Sequence, residues 1–460
     1  MTDSELPPIS ALLPNGEGHQ FVIYGDACSG VAGALHEQTF GAVNAVVRRL
    51  DPQPEFIIFT GDEVIGLTAD RRQLEAQWRH WLEKEMAWLN RDAVPMWHCT
   101  GNHTTYDPMS EEVFRDVLSL PKNGPAGQEG LSYWVRRGDL LMVFVHTLWT
   151  GLGGEGYVET EWLKTTLREQ SDAQHRLVIG HHPAFPVNGY AGAYQRTIAP
   201  ECVSRFWDIL TEHDVTAYIC SHILAYDVQV HRGVLQICSA GAGTAHRMPE
   251  GDEYLHAMQF ALDDERLRWQ VIDTDGIVRE TMSWPRGGWQ FGDSKRLPNG
   301  CSTAHFEFAS EGPATRLLFK GTSTSDEIGE AQTLLAMGEA DCLPSLWIGL
   351  RGVQQRLTAI VGNEPGRSPH YWIGPEIASG EHFTIELLLH IGMGPGGLLW
   401  RESPDQPWTS MAAASSWGLE RMRSAPLWVV GHGVGPGQDR PFRGDGLTVH
   451  VSKVGARITD

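Results

Sequence analysis

Residues Trp97 to Asp107 read WHCTGNHTTYD, and the organisation of the first half of the chain follows from them. An apolar approach, Ala93 to Trp97, runs into a Gly-Asn-His turn, which sets Asn102 and His103 where a buried strand gives out at a sheet edge. Open α/β sheets keep their ligands at such edges, outside the carboxyl ends of the strands. Gly101 permits the sharp turn, the amide oxygen of Asn102 can ligate a metal, and the imidazole of His103 can reach an oxygen on a bound substrate. Alone, the tripeptide is a weak signal and has an ordinary turn with a surface histidine as its alternative. Its weight comes from recurrence.

The same grammar, an apolar run ending in a polar turn, appears at four other places. Phe21 to Tyr24 ends at Gly25-Asp26-Ala27-Cys28, and Glu55 to Thr60 ends at Gly61-Asp62. Arg176 to Gly180 ends in His181-His182-Pro183, where the proline stops the strand and fixes the direction of the two histidines. Val215 to Cys220 ends in Ser221-His222-Ile223-Leu224-Ala225-Tyr226. Helical spacing fills the intervals: Ala34 to Leu50, Thr68 to Asn90, Glu111 to Leu118, Thr160 to Glu169 and Arg205 to Glu212. In Thr68 to Asn90 the apolar stripe includes Trp78 and Trp81, which reads as core, with a cofactor platform as the alternative. Further strands are expected at Ser132 to Arg136, Leu140 to His146, Val234 to Ser239, Tyr254 to Leu262 and Leu267 to Asp273.

The five strand ends together deliver Asp26, Asp62, Asn102 with His103, His181, and His222. In that order they resemble the motifs of the calcineurin-like metallophosphoesterases, the superfamily of purple acid phosphatases and cyclic-nucleotide phosphodiesterases: Asp-x-His, Gly-Asp, Gly-Asn-His, a strand-terminal His, and Gly-His-x-His. The resemblance covers about residues 20 to 285 and implies a two-sheet α/β sandwich with metals at the strand ends. It further implies two metals sharing a bridging carboxylate and activating water for in-line attack on phosphorus. Carried over by position, Asp62 is the bridge, Asn102, His181 and His222 complete one metal site, and His103 protonates the leaving oxygen or steadies the phosphoryl group.

The other site departs from the pattern. Asp-x-His reads Asp26-Ala27-Cys28, and Gly-His-x-His reads Ser221-His222-Ile223-Leu224, so both histidines of the first metal are replaced. Leucine cannot ligate. Cys28 is either a thiolate ligand favouring a softer ion or a small inert residue, and Glu63, Tyr226, Asp227 and His246 are candidate replacements. Asp26 is expected to be a remaining ligand or a base that orients the water. His182 is expected either behind the ligands, supporting them, or in a substrate-facing position, and not as a ligand; His146 is expected as structural, and of His98 and Cys99, alternation points one into the core. The expectation is therefore a metal-dependent phosphoric ester hydrolase acting on a phosphorylated small molecule. One transition-metal ion (Mn, Fe, Zn or Ni) is expected, or two through an altered set. The rival readings are a non-catalytic binding protein and a mononuclear metalloenzyme with non-hydrolytic chemistry.

Beyond about Trp284 the texture changes. Glycine and proline punctuate residues 286–300, a linker composition, and later runs alternate with turn residues and little helical patterning. These runs include His305 to Phe308, Arg316 to Lys320, Ser345 to Leu350, Leu357 to Val361, Phe383 to Ile391 and Leu447 to Val451. The division expected is an N-terminal extension over 1–19, the α/β domain over 20–285, the linker, and an all-β jelly-roll-like sandwich over 301–460. By strand rhythm that last part resembles laminin-G or concanavalin-like modules, which implies carbohydrate or protein contact. Trp347, Trp372, Trp400, Trp408, Trp417 and Trp428 either stack on sugars or fill the core. A formal charge of −21 repels phosphate backbones and disfavours nucleic acid. No apolar run approaches the roughly 20 residues that span a bilayer, so no membrane partner is expected. The acidic, proline-rich first residues lack an export signal, and the seven scattered cysteines form no Cys-x-x-Cys pair, so a cytoplasmic location is expected.

Overall fold

The computed structural model describes residues 6–151, 156–189, 196–244, 254–302, 314–325, 328–338, 344–362, 368–414, 417–422, 427–434 and 440–454. The chain divides into two compact units that part mainly between Gly287 and Gly288, with the short stretch Val228–Gly233 and the residues from Asn188 grouped with the second. No described helix is long and apolar enough to cross a membrane.

The first unit is an α/β sandwich of two six-stranded sheets. One sheet runs Val278–Pro285, Arg266–Asp273, His256–Asp263, Gly18–Tyr24, Phe56–Phe59, Met96–His98, the last three parallel. The other runs Tyr226–His231, Val234–Ser239, Ala217–Cys220, His175–Ile179, Leu140–Phe144, Tyr133–Arg137, with its middle four strands parallel. Sequences such as FIIF and LLMVF are apolar at successive positions because both faces of a parallel sheet are covered. Phe56–Phe59 and Leu140–Phe144 are accordingly buried throughout.

Helices Leu35–Arg48, Arg71–His80 and Pro108–Val117 cover the first sheet, and Trp78, Trp81, Phe40 and Phe59 form one core cluster with it. Trp78 and Trp81 are fully buried, as core residues. The Arg71–His80 helix continues into a π-helical turn, Trp81–Glu85, which keeps Trp81 stacked on Phe40 with ring centres 5.8 Å apart. The Asp107 carboxylate accepts the Ser110 N–H at 2.8 Å while Ser110 Oγ accepts the Asp107 N–H, so a capping box starts the Pro108–Val117 helix directly after the Gly-Asn-His loop.

The second unit is an antiparallel β-sandwich. Its six-stranded sheet includes Gly444–Lys453, Ala314–Ser323 and His382–His390, and its seven-stranded sheet includes Gln332–Gly338, Leu346–Arg351 and Arg356–Val361. Leu317, Phe319, Leu335, Ile348, Leu387 and Val449 lie in its core cluster. One expectation changes here and one open alternative is decided. The stretch read as a linker gives Lys295–Leu297 to the edge of the six-stranded sheet, paired with Gly444–Lys453, and its last residue opens Gly300–Ser302, which pairs with Leu427–Val430 at the edge of the other. Of the six tryptophans offered as stacking surfaces, Trp347, Trp372, Trp408 and Trp428 are buried. Trp347 Nε1 donates to Thr333 Oγ1 at 3.0 Å and Trp372 Nε1 to the Pro395 carbonyl at 2.7 Å, so both ring and N–H are committed to the interior. Trp400 packs partly buried against the core, and Trp417 is half-buried. The His305 to Phe308 run lies outside the described residues.

Candidate metal centre

Strands of the two sheets point their carboxyl ends at one place. Tyr24 leads to Asp26, Phe59 to Asp62, His98 to Asn102 and His103, Ile179 to His181 and Cys220 to His222. Asp26, Cys28, Asp62 and His222 all have positive φ (63°, 43°, 56° and 67°), four of the eight such non-glycine residues among those described. Left-handed backbone costs about 1–3 kcal/mol per residue and persists where the surroundings over-determine it, which is characteristic of functional sites.

Four donor atoms converge. His181 Nε2 lies 3.2 Å from Asp62 Oδ2, 3.0 Å from Asn102 Oδ1 and 3.3 Å from His222 Nδ1, and His222 Nδ1 lies 2.9 Å from Asn102 Oδ1. Donors around a zinc-like ion with ordinary bond lengths sit about 3.0–3.4 Å apart, so this set fits one transition-metal ion. Its chemistry fits as well: one carboxylate, one amide oxygen and two imidazoles suit Mn, Fe, Zn or Ni.

The surrounding groups aim these donors. His181 Nδ1–H is shared by the Thr60 carbonyl and Ser221 Oγ, each 3.0 Å away, and Ser221 O–H donates to the same carbonyl at 2.9 Å. That fixes Nε2 as the nitrogen turned to the centre, the usual second layer of a metal-binding histidine. The sequence carried the signal for this in the serine that replaces the glycine of Gly-His-x-His, whose hydroxyl now holds the ring of His181. The His103 N–H donates to Asp62 Oδ1 at 2.8 Å and the His222 N–H to Asp26 Oδ2 at 3.0 Å.

Charge follows geometry. Burial alone would raise the Asp62 carboxyl, but His181 and His103 hold it well below the usual range. Burial pushes Asp26 up to about 6, with Asp62 adding to the rise and His181 opposing it. Burial works against a charge on His181, yet Asp62 and Asp26 lift its pKa to about 9. Two buried carboxylates therefore call for a positive charge, which a proton or a metal ion can satisfy.

The remaining expected residues fall in different places. Asp26, Asp62 and His181 each place a ligand atom within 4.8 Å of the others, as do Cys28, Asp62 and His103. Burial, then Asp62 and Asp26, drive the Cys28 thiol well above its ordinary pKa. Leu224 is half-buried and offers no donor. Glu63 is spoken for by His98, Oε1 to Nδ1 2.8 Å, and Tyr226 OH accepts from Trp269 Nε1 at 2.9 Å. Asp227 is buried, and His246 lies outside the described residues. His98 and Cys99 are both buried, where alternation had pointed only one inward, because the strand ends between them and Cys99 begins the loop. His146 is buried with Nδ1 2.8 Å from Thr100 Oγ1.

Of its two expected positions, His182 takes the one behind the ligands and not the substrate-facing one, with a ligand atom within 4.8 Å of those of His181 and His222. It is fully buried, Nδ1 lies 2.7 Å from Thr147 Oγ1, and its ring packs 4.4 Å from that of His222. The neighbouring parallel strand, continuing past Phe144 to Thr147, captures the ring before it can reach solvent. Among the residues expected at the centre, Asn102, His103 and His222 are each half-buried.

Residues 19–226 match the model of the calcineurin-like phosphoesterase family. No curated protein matches the chain. Among solved structures the chain is similar to a purple acid phosphatase from yellow lupin (Lupinus luteus) seeds, with 13% identity, 60% of this chain and 55% of that chain covered, and a TM-score of 0.45. It is also similar to a dimetal phosphatase from Danio rerio, with 12% identity, 59% and 100% covered, and a TM-score of 0.45. A third is GAP50, the anchor in the inner membrane complex of Plasmodium, with 15% identity, 58% and 88% covered, and a TM-score of 0.39. The chain thus spans about half the length of the lupin enzyme.

Proposed function

With a calcineurin-like phosphoesterase domain over residues 19–226, this chain is one that we propose hydrolyses phosphoric esters of small molecules with a single metal ion held by Asp62, Asn102, His181 and His222. The observation that carries the reading is the convergence of Asp62 Oδ2, Asn102 Oδ1, His181 Nε2 and His222 Nδ1, at 2.9–3.3 Å for the pairs measured. A transition-metal ion bound there supplies Lewis-acid polarisation and lowers the pKa of water.

The chain's own residues do the rest. His103 Nδ1 is 2.7 Å from the Ile65 carbonyl, so Nδ1–H is committed and Nε2 is the atom that hands a proton to the leaving oxygen. Asp26, held by the His222 N–H, orients the attacking water and accepts its proton. Asp62 carries both ends of the arrangement, since one oxygen fixes the His103 loop and the other faces His181. Leu224 withholds the donor that a second ion would need.

The test is hydrolysis of an aryl phosphate monoester and diester by purified protein of known metal content. One ion per chain with turnover, lost by about 100-fold or more in Asn102→Ala and in His103→Ala, is the expected result. The His103 variant is expected to keep its ion, and the Asn102 variant to bind it more weakly. A folded protein that takes up no transition metal and hydrolyses neither ester would end this reading.

A further inference from the structure

A second group of ligand-type side chains lies at the opposite end of the same strands. His175 opens the strand that leads to His181, Asp139 immediately precedes Leu140–Phe144, and Asp264 follows His256–Asp263. His175 Nε2 is 3.4 Å from Asp139 Oδ2 and 3.5 Å from Asp264 Oδ1, and one ligand atom from each residue lies within 4.8 Å of the others.

The decisive observation is the state of His175. Its side chain is fully buried, and among the described residues neither ring nitrogen has a hydrogen-bond partner. Buried polar groups are almost always satisfied, so an imidazole with two unmatched nitrogens beside two carboxylates demands a reason. The separations are long for hydrogen bonds and match the edges of a tetrahedron of about 3.4 Å around a zinc-type ion.

Neighbouring groups orient the carboxylates as outer partners of a metal site do. His19 Nε2 is 2.7 Å from Asp139 Oδ1, and Gln174 Nε2 donates to Asp264 Oδ1 at 2.7 Å. The Arg286 guanidinium is turned to backbone, donating to the carbonyls of Gln174 at 2.6 Å and Asp264 at 3.4 Å. Glu55, 3.5 Å from His19 Nδ1, adds a third carboxylate to the neighbourhood.

We propose that His175, Asp139 and Asp264 bind a divalent cation of the zinc class at a site separate from the centre at Asp62. Six residues along one strand, about 20 Å, separate His175 from His181, so one ion cannot serve both. The Asp264 side chain is 68% exposed, which leaves coordination positions open to water. Asp264 belongs to the hairpin of one sheet, whereas Asp139 and His175 begin strands of the other. The ion therefore clamps the two sheets together at the end remote from the proposed chemistry.

The test uses the full-length chain carrying Asp62→Asn and His222→Ala, stripped with chelator and titrated with zinc chloride. One zinc per chain and a rise of several degrees in the unfolding midpoint are expected. Adding Asp139→Asn and Asp264→Asn abolishes both while the far-UV circular dichroism stays the same. A folded background protein that binds no zinc overturns the proposal, as does one that keeps its zinc without the two carboxylates. If the background does not fold, wild type is compared with Asp264→Asn alone: one ion fewer per chain supports the site, and equal counts overturn it.

Discussion

Asp62 and His103 are joined across two loops, the Asp62 carboxylate accepting the His103 backbone N–H at 2.8 Å. Gly101 makes this approach possible, because a Cβ at that position would overlap Asp62 Oδ1. Gly101→Ala must therefore displace the carboxylate or the loop. The expected outcome is a drop of 10-fold to 100-fold or more in ester hydrolysis, with a stability loss of about 1–3 kcal/mol from overpacking. Rate and urea midpoint measured on the same preparation separate the two effects. An active Gly101→Ala protein would mean that the Asp62–His103 link is dispensable.

Cys28 is the residue on which a second ion would depend, and its neutral thiol, buried beside Asp62 and Asp26, is a poor ligand in the metal-free chain. Cys28→Ala is accordingly expected to leave one ion per chain and activity within about threefold of wild type. Cys28→His with Leu224→His returns two imidazoles to the positions where the family pattern has them. Metal analysis should then rise from one ion toward two. A wild-type chain already holding two ions, one of them lost in Cys28→Ala, would reverse this assignment.

The parallel strands were legible because burial on both faces leaves nearly unbroken apolar runs, and because Gly-Asp, Gly-Asn and His-Pro punctuate their ends. The edge strand Val278–Pro285 was not, since VRETMSWP is charged and largely exposed over its first half. Gln332–Gly338 hid for the opposite reason: QTLLAMG is buried throughout yet built from residues that favour helices as readily. His370–Glu376 carries a proline, which demotes a run in any strand reading. At the centre, motif order named the residues that meet, but not what surrounds them. The capture of His182 by Thr147 and of Glu63 by His98 are contacts between segments 35 residues apart, invisible to local pattern.

Trp81 tests how far the π-helical turn rests on packing. Its ring is fully buried against Phe40, Phe59 and Trp78, while its Nε1–H has no partner among the described residues. Trp81→Phe keeps a ring in the cavity and removes an unsatisfied donor, whereas Trp81→Ala removes the ring altogether. Expected losses are about 3–5 kcal/mol for alanine and clearly less for phenylalanine. Equal destabilisation by both, read from chemical denaturation, would show that the N–H has a partner and that the ring's volume is not what matters.

Acid sensitivity should come from buried neutral histidines as well as from carboxylates. Burial pushes His146 down to about 3, with Arg115 adding to the effect, and pushes His390 in the second unit down to about 4. An unfolded histidine takes up a proton near pH 6.5, well above either value, so protons favour the unfolded chain below that pH. Stability from these two residues is present in full above about pH 6.5 and drains away as pH falls toward 3–4, by an amount on the order of a few kcal/mol each. His146→Gln and His390→Gln remove the titrating group while keeping a polar side chain, so each is expected to start less stable at pH 7.5 and to lose less on acidification. Unfolding midpoints of the two variants and wild type between pH 4.5 and 7.5 decide the matter: parallel curves would mean that neither histidine contributes to the acid slope.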